Sequence, residues 1–302
     1  MPTILQITDA HLSPCNALFR DNLDRIRRAI AHDPPDLVVA TGDLSLDGAD
    51  RDEDMAFAAE LHRAFPAPLL ALPGNHDVGS HPGTQPNQPV TEPRLARFRG
   101  HLGPGRAVVD LPGWRVIGLN TEVMGTGIAE EAAQEAFLDD AIAGAGARRI
   151  AIFLHKPVFV TTPQDEAFDV WSVPPPARAR RAALLGHPGL RLVASGHLHL
   201  HHEFTIGRVA FAWAPALSFH VHPREQQGLP GLRHGGALLH HLHEDHVETR
   251  LVQPEGVATV LLDDVLHLTY AIPDPAPRHT DDAQASSHGH AEPVGSAHDR
   301  GA

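Results

Sequence analysis

The feature that most limits how this chain can fold is an alternation of short apolar runs with helical stretches. Between the runs, Leu23, Ile26 and Ile30 recur at helical spacing, and so do Phe57 and Leu61. Buried strands that are separated by amphipathic helices are typical of an α/β protein. Six runs rich in Ile, Val and Leu have the length of buried strands: residues 3–8, 37–40, 69–72, 115–119, 149–154 and 190–194.

The pattern of apolar residues changes in the last third of the chain. From about Phe204, strand-like runs follow one another without long helices. We expect a single domain over residues 1–272, in which residues 204–272 supply second-sheet strands or an antiparallel extension and form a candidate cap or dimer contact. Residues 273–302 contain Pro, Ala, Ser, His and Asp but little apolar surface to offset the entropy of ordering. We therefore predict a disordered tail there.

Composition narrows the classes of function. The formal net charge of the 302 residues is −13, which disfavours strong binding to nucleic acid. The chain has 24 histidines but one cysteine, Cys15, so any bound metal would have imidazole and carboxylate ligands rather than thiolates. A lone cysteine forms no disulfide within the chain, and no apolar stretch approaches the roughly 20 residues that cross a bilayer. With no visible leader segment, these observations predict a cytoplasmic protein that does not span a membrane.

Polar side chains able to bind a metal follow five of the apolar runs. In open α/β sheets ligands bind at the carboxyl edge of the strands, so residues that follow different strands converge there. Each piece alone is weak, because Pro-Gly-Asn is ordinary turn sequence and a buried histidine is usually just hydrogen-bonded. Five such pieces in order are much harder to attribute to chance. The residues are Asp9 and His11, Asp43, Asn75 with His76 and Asp77, His155, and finally His197 with His199.

The mixture of ligand types indicates the kind of metal site. Carboxylate and amide oxygens together with imidazole nitrogens suit Mn, Fe, Zn, Co or Ni better than an all-oxygen calcium site. The seven of these side chains other than His76 and Asp77 are too many ligands for one tetrahedral zinc ion, but they suit two ions that share a bridging carboxylate. Two metal ions roughly 3.5 to 4 Å apart can bind both the attacking and the leaving oxygen in phosphoryl transfer.

These motifs, taken in order, resemble the signature blocks of the calcineurin-like metallophosphoesterases. The resemblance covers residues 1 to about 215, and the most similar branch is the bacterial class III cyclic-nucleotide phosphodiesterase group. It implies a four-layer α/β/β/α sandwich of two mixed sheets flanked by helices. The blocks are Asp9-Ala10-His11, Gly42-Asp43, Gly74-Asn75-His76-Asp77, His155 two residues before Pro157, and Gly196-His197-Leu198-His199.

The resemblance also implies a role for each residue. The first metal would be held by Asp9, His11, Asp43 and His199, and the second by Asp43, Asn75, His155 and His197, with Asp43 as the bridge. His76 would bind no metal and would stand beside the substrate, either as the proton donor for the departing alkoxide or as a partner of a phosphate oxygen. Asp77 has two open roles, orienting the imidazole of His76 or stabilising the turn. The two ions are expected to be Mn, Fe or Zn.

One position departs from the family pattern. Relatives in the class III group often carry a second histidine directly after the ligand that aligns with His155, whereas this chain has Lys156. Its ammonium group could face a phosphate, or its stem could pack along the surface; the surface interpretation is favoured.

We therefore predict a phosphodiesterase that cleaves a small diester such as 3',5'-cyclic AMP by in-line attack of a metal-bound hydroxide. Two alternatives stay open within the enzyme class: a phosphomonoesterase, or a hydrolase of glycerophosphodiesters or 2',3'-cyclic nucleotides. A third alternative is a binding module that keeps the fold without catalysis. The expected partners are a small phosphoester substrate and a second copy of the chain in a homodimer.

Overall fold

The computed structural model describes residues 1–15 and 19–269, so the predicted tail at 273–302 lies outside the described residues. The helices are α1 (Arg20–Ala29), α2 (Asp52–Arg63), α3 (Asn75–Val78), α4 (Glu92–Leu102), α5 (Ala129–Ala143), α6 (Pro175–Leu185) and α7 (Leu262–Thr269). The strands are β1 (Thr3–Ile7), β2 (Leu37–Thr41), β3 (Leu69–Leu72), β4 (Ala107–Leu111), β5 (Trp114–Gly118), β6 (Arg149–Phe153), β7 (Leu190–Ser195), β8 (His202–Ile206), β9 (Val209–Trp213), β10 (Phe219–His220), β11 (Ala237–Leu242), β12 (Val247–Val252) and β13 (Val260–Leu261).

The strands form two mixed sheets. The first has the order β12-β11-β1-β2-β3. Strands β1, β2 and β3 are parallel, β11 is antiparallel to β1, and β12 is antiparallel to β11. The second has the order β4-β5-β6-β7-β9-β8, in which the four central strands are parallel and both edge strands are antiparallel. All five residues of β2 are buried, as expected for a parallel strand that is covered on both faces.

The two sheets pack face to face with helices on their outer sides. Ile4 and Val39 of the first sheet share a buried cluster with Val116 and Phe153 of the second. On the outer face of the first sheet, α1 and α2 contribute Leu23 and Met55 to another buried cluster. On the outer face of the second, α5 and α6 contribute Leu138 and Ala177. The predicted four-layer α/β/β/α sandwich is confirmed.

The strands after residue 204 divide between the sheets. Strands β8 and β9 lie in the second sheet, whereas β11 and β12 extend the first. Strand β11 pairs antiparallel with the otherwise open side of β1, and β12 pairs antiparallel with β11, so both arrangements left open by the sequence, second-sheet strands and an antiparallel extension, occur in this segment. The role of this segment as a cap or dimer contact stays a prediction.

A buried amide joins the carboxyl ends of strands from both sheets. Gln6 of β1 is fully buried, and its Nε2 donates to Thr41 Oγ1 of β2 at 3.2 Å and to the Ser195 carbonyl of β7 at 3.0 Å. His240 of β11 contacts the other end of the same amide, with 3.1 Å between its Nε2 and Gln6 Oε1. These bonds hold the ends of β1, β2 and β7 together, where the candidate ligands begin.

Candidate metal centre

The structure brings the predicted metal-binding side chains together at one edge of the two sheets. They follow β1, β2, β3, β6 and β7 directly, as the sequence predicts. Two groups of ligand atoms each lie within 4.8 Å of one another: Asp9, His11 and His199 in the first, and Asp43, His155 and His197 in the second. A third group of the same kind joins His11, Asp43 and His76.

Asp43 lies between the two groups. Its Oδ2 is 3.3 Å from His155 Nε2 in the second group and 3.8 Å from His11 Nε2 in the first. Its Oδ1 accepts a hydrogen bond of 2.8 Å from the backbone N–H of His76. One carboxylate therefore faces both groups, which is the position that a bridging ligand needs.

Around His155 the second group is tightly convergent. His155 Nε2 lies 3.1 Å from His197 Nδ1 and 3.2 Å from Asn75 Oδ1. With Asp43, this gives two nitrogens and two oxygens, of which the other three each lie within 3.3 Å of His155 Nε2. Such a mixed set is suited to a divalent transition metal ion.

The first group contains buried polar atoms without hydrogen bonds. Asp9 Oδ1 is buried, forms no hydrogen bond, and lies 3.3 Å from His199 Nε2. Both ring nitrogens of His11 are likewise buried and unsatisfied. Burying such atoms without partners is costly. A metal ion bound among them would satisfy Asp9 Oδ1 and one ring nitrogen of His11, so the residues fit the ion that the resemblance implies.

Backbone conformation singles out the same residues. Among the described residues, five that are not glycine have a positive φ, between 45° and 68°, and all five are candidate ligands: Asp9, His11, Asp43, His197 and His199. The left-handed region costs such residues free energy, of order 1 to 3 kcal/mol where strain is stored at functional sites. The fold therefore accepts backbone strain at the positions where it aims ligand side chains.

Three of the candidate histidines are oriented by backbone carbonyls. His155 Nδ1 bonds to Thr41 O at 2.7 Å, His197 Nε2 bonds to Val170 O at 2.7 Å, and His199 Nδ1 bonds to Phe219 O. Because a carbonyl oxygen only accepts, the bonded ring nitrogen must carry the hydrogen. The other nitrogen of each ring faces the other candidate ligands, which is the usual arrangement around metal-binding histidines.

Burial and the nearby charges shift the pKa values of these groups in different directions. Burial would raise the pKa of Asp43, but the imidazoles of His155, His76 and His11 lower it well below its usual range. Burial would lower the pKa of His155, but Asp43 outweighs it and raises the pKa to about 10. Burial, with the charge of His76, lowers the pKa of His11 far below its ordinary value. The metal-free site thus holds an ion pair between Asp43 and His155 beside a neutral His11.

His76 lies beside His11 and Asp43 at the centre. It is only partly buried, its ring centroid is 4.6 Å from that of His11, and its Nδ1 bonds to Leu46 O at 2.9 Å. By the same carbonyl argument, Nδ1 carries a hydrogen, so Nε2 is the ring nitrogen that can face a substrate.

Asp77 stabilises the turns around the centre. Its carboxylate accepts hydrogen bonds from the N–H of Gly74, from the N–H of Leu44, and from both the N–H and the Oγ of Ser45. Burial, assisted by the charge of Asp43, raises the pKa of Asp77 to about 6. Of its two open roles, these bonds support the stabilisation of the turn.

Lys156 is buried, so the favoured surface interpretation is wrong. Its side chain is 6% exposed, and its Nζ donates to Glu122 Oε2 at 2.9 Å and to Ser80 Oγ at 2.6 Å. The physical reason is the carboxylate of Glu122, whose side chain is fully buried and needs a cation beside it. Lys156 thus ties together three segments that border the second group of ligands.

Sequence reasoning missed Glu122 and the orienting carbonyls. Asn120, Thr121 and Glu122 are a polar run directly after the apolar run that forms β5, and this is the same signal that identified the other sites. The carbonyls of Thr41, Val170 and Phe219 carry no sequence signal, because every residue has a carbonyl group.

None of the described helices is both long and apolar enough to cross a membrane.

Comparison with known proteins then gives the family. The family model for calcineurin-like phosphoesterases matches residues 2–201. A Pseudomonas aeruginosa protein named 3',5'-cyclic adenosine monophosphate phosphodiesterase CpdA is 30% identical over 210 residues, which are 65% of this chain and 69% of that protein.

Solved structures share the fold at low sequence identity. A dimetal phosphatase from Danio rerio superposes with a TM-score of 0.56 at 15% identity, covering 83% of this chain and 95% of that one. GAP50, the anchor in the inner membrane complex of Plasmodium, superposes with a TM-score of 0.58 at 14% identity, covering 85% and 86%. These two likenesses bear on the fold alone. The family match and the curated relative go further: the chain belongs to the calcineurin-like phosphoesterase family and is a metal-dependent phosphoester hydrolase.

Proposed function

We propose that this chain is a phosphodiesterase that cleaves a small diester, such as 3',5'-cyclic AMP, at a centre of two metal ions. The observation that carries the proposal is the position of Asp43, whose Oδ2 faces His11 of one ligand group and His155 of the other. The diester is taken from the name of the Pseudomonas relative. The net charge of −13 supports a small substrate, because a long polyanion would be repelled.

In this proposal each ion has a defined set of ligands. Asp9, His11, Asp43 and His199 hold the first ion, and Asp43, Asn75, His155 and His197 hold the second. The unsatisfied atoms of Asp9 and His11 support the first set, and the convergence on His155 Nε2 supports the second. Mn, Fe and Zn all suit these ligands, and supply in the cell decides among them more than ligand type does.

When bound, such a pair of ions makes a coordinated water more acidic and draws negative charge from the phosphate oxygens. The chain itself would supply the proton for the leaving group. His76 would donate a hydrogen carried on Nε2, because the Nδ1 hydrogen of its partly buried ring is already bonded to Leu46 O. A positioned general acid of this kind contributes roughly 10²- to 10⁴-fold to the rate.

The first test is a substrate panel with the purified protein loaded with Mn²⁺. We expect bis(p-nitrophenyl) phosphate to be cleaved faster than p-nitrophenyl phosphate, and 3',5'-cyclic AMP to be cleaved faster than 2',3'-cyclic AMP or glycerophosphocholine. Faster cleavage of the monoester would favour the phosphomonoesterase instead. No turnover of any ester by protein with two bound ions would favour the silent binding module.

Two variants separate the roles of the residues. We expect His76→Ala to keep both ions by elemental analysis and to lose roughly 10²- to 10⁴-fold in kcat. Asp43→Ala should lose metal as well as turnover, because it removes the ligand that faces both groups. His246→Ala, in an exposed side chain of the β11–β12 hairpin, is the matched control and should behave as wild type. A His76→Ala protein as fast as wild type would contradict the assignment.

A further inference from the structure

A loop of nine residues, 165–173, lies over one of the candidate metal ligands. We name it the rim loop. The carbonyl of Val170 accepts the 2.7 Å hydrogen bond from His197 Nε2, and the ring of Trp171 is centred 6.2 Å from the ring of His197. The rim loop is therefore in direct contact with the second group of ligands.

One buried arginine fixes the shape of the rim loop. Arg178 is 2% exposed, and its guanidinium donates to the carbonyls of Asp165, Ala167 and Val173 and to Ser172 Oγ. A planar group with five N–H donors can hold several carbonyls at once in one geometry. The side chains that the rim loop presents are thus carried on a constrained backbone.

The rim loop nevertheless exposes large apolar side chains. Phe168 is 51% exposed and Val170 is 41% exposed. One edge of Phe168 is supported by His81, whose ring lies perpendicular to it with the centroids 5.3 Å apart. His81 is itself held, since its Nε2 bonds to Gly125 O at 3.0 Å and its Nδ1 accepts from the N–H of Gly83. About half of the Phe168 surface is open, and His81 and Gly83 are among the residues that cover the rest.

We propose that the rim loop binds the organic group of the phosphoester, and that Phe168 determines specificity by packing against an aromatic ring carried by that group. This inference rests on the proposed function. Phe168 is two residues from Val170, so its backbone is at most about 7 Å along the chain from the carbonyl that contacts His197. An ester group attached to a phosphate at the candidate centre would therefore lie within reach of its ring.

The size of the patch favours the substrate over a protein partner. Two exposed side chains cover far less than the roughly 800 Å² that each partner buries in a standard protein interface. An aromatic ring, by contrast, needs only one aromatic wall to gain a favourable offset or edge contact. The patch is also continuous with the candidate centre through Val170, as a substrate site must be.

The test compares two diesters that share a leaving group. Bis(p-nitrophenyl) phosphate and methyl p-nitrophenyl phosphate both release p-nitrophenolate, but only the first retains an aromatic ester group. We expect Phe168→Ala to raise the ratio of KM for the aryl diester to KM for the methyl diester about fivefold to tenfold. Phe168→Tyr should restore the wild-type ratio. Ile206→Ala, which truncates a 42% exposed side chain at the end of β8, is the matched control.

A binding measurement keeps the inference separate from the proposed function. Titration calorimetry with Mn²⁺-loaded protein compares phenylphosphonate with methylphosphonate, and neither compound requires turnover. Tighter binding of phenylphosphonate that is lost in Phe168→Ala would support the rim loop even if no diester is cleaved. Equal binding of the two phosphonates by wild type would overturn it. An unchanged KM ratio in an active Phe168→Ala enzyme would also overturn it while leaving the phosphodiesterase intact.

Discussion

Replacing Lys156 with methionine should destabilise the protein strongly, although the new side chain is apolar and of similar length. The substitution removes the only cation in hydrogen-bond contact with Glu122 among the described residues, at 2.9 Å from Oε2. The Glu122 side chain is fully buried, and its remaining side-chain partner is Thr121 Oγ1 at 3.1 Å. A carboxylate left in that state loses its compensation without regaining water.

The size of the effect follows from this burial. Breaking a buried ion pair by removing one partner costs about 3 to 5 kcal/mol, whereas replacing both partners is often close to neutral. For a domain of this size a loss of 3 kcal/mol lowers Tm by roughly 6 °C or more. We therefore expect a large drop for Lys156→Met, and recovery of most of it in Lys156→Met/Glu122→Gln.

The assay is thermal unfolding followed by circular dichroism in the presence of a chelator, so that metal binding does not contribute to Tm. Glu53→Gln is the control, because the Arg51–Glu53 pair has the same 2.9 Å separation but side chains that are 43% and 57% exposed. Its Tm should stay close to that of wild type. A Tm of Lys156→Met within about 2 °C of wild type would contradict this expectation, and so would a double variant no more stable than Lys156→Met.

Three further predictions concern the centre and the pH dependence of stability. Gly42→Ala should lose bound metal by elemental analysis, because the added Cβ would lie 2.3 Å from His155 Nδ1. Gly103→Ala is the control and should keep its metal, because Gly103 has an almost equal φ of +94° but no atom lies within 4 Å of the added Cβ. Titrating metal-free protein with Mn²⁺ should raise Tm progressively, because binding adds about 2.7 kcal/mol to the free energy of unfolding at a hundredfold excess over Kd. A Tm that does not change with Mn²⁺ would contradict the proposed centre. Burial lowers the pKa of His62 to about 4, whereas the pKa in the unfolded chain is 6.5. The unfolded state therefore binds the proton first, and the free energy of unfolding falls as the pH drops from 6.5 to 4. Urea denaturation should show that His62→Leu lacks this part of the acid destabilisation, about 3 kcal/mol, and an identical pH dependence in the two proteins would refute it.

The amino-acid sequence alone was enough to predict the α/β class and where the polar residues would meet, whereas the four layers were implied by the resemblance to the calcineurin-like metallophosphoesterases. Apolar runs such as the one that forms β2 have the period and length of buried strands, and this signal is local. The convergence of Asp43 and His155 follows from topology, because parallel strands deliver their carboxyl ends to one edge of a sheet. No knowledge of individual contacts was needed for either prediction.

Contacts between distant segments were decided only by the tertiary structure. Lys156 meets Ser80 and Glu122 across 76 and 34 residues, and nothing in the residues around Lys156 signals a buried carboxylate. Strand β11 pairs with β1 rather than with the second sheet, although its apolar pattern would suit either. The physical reason is the same in each case: local periodicity records which face of an element is buried, whereas the identity of the partner on that face depends on how the whole chain packs.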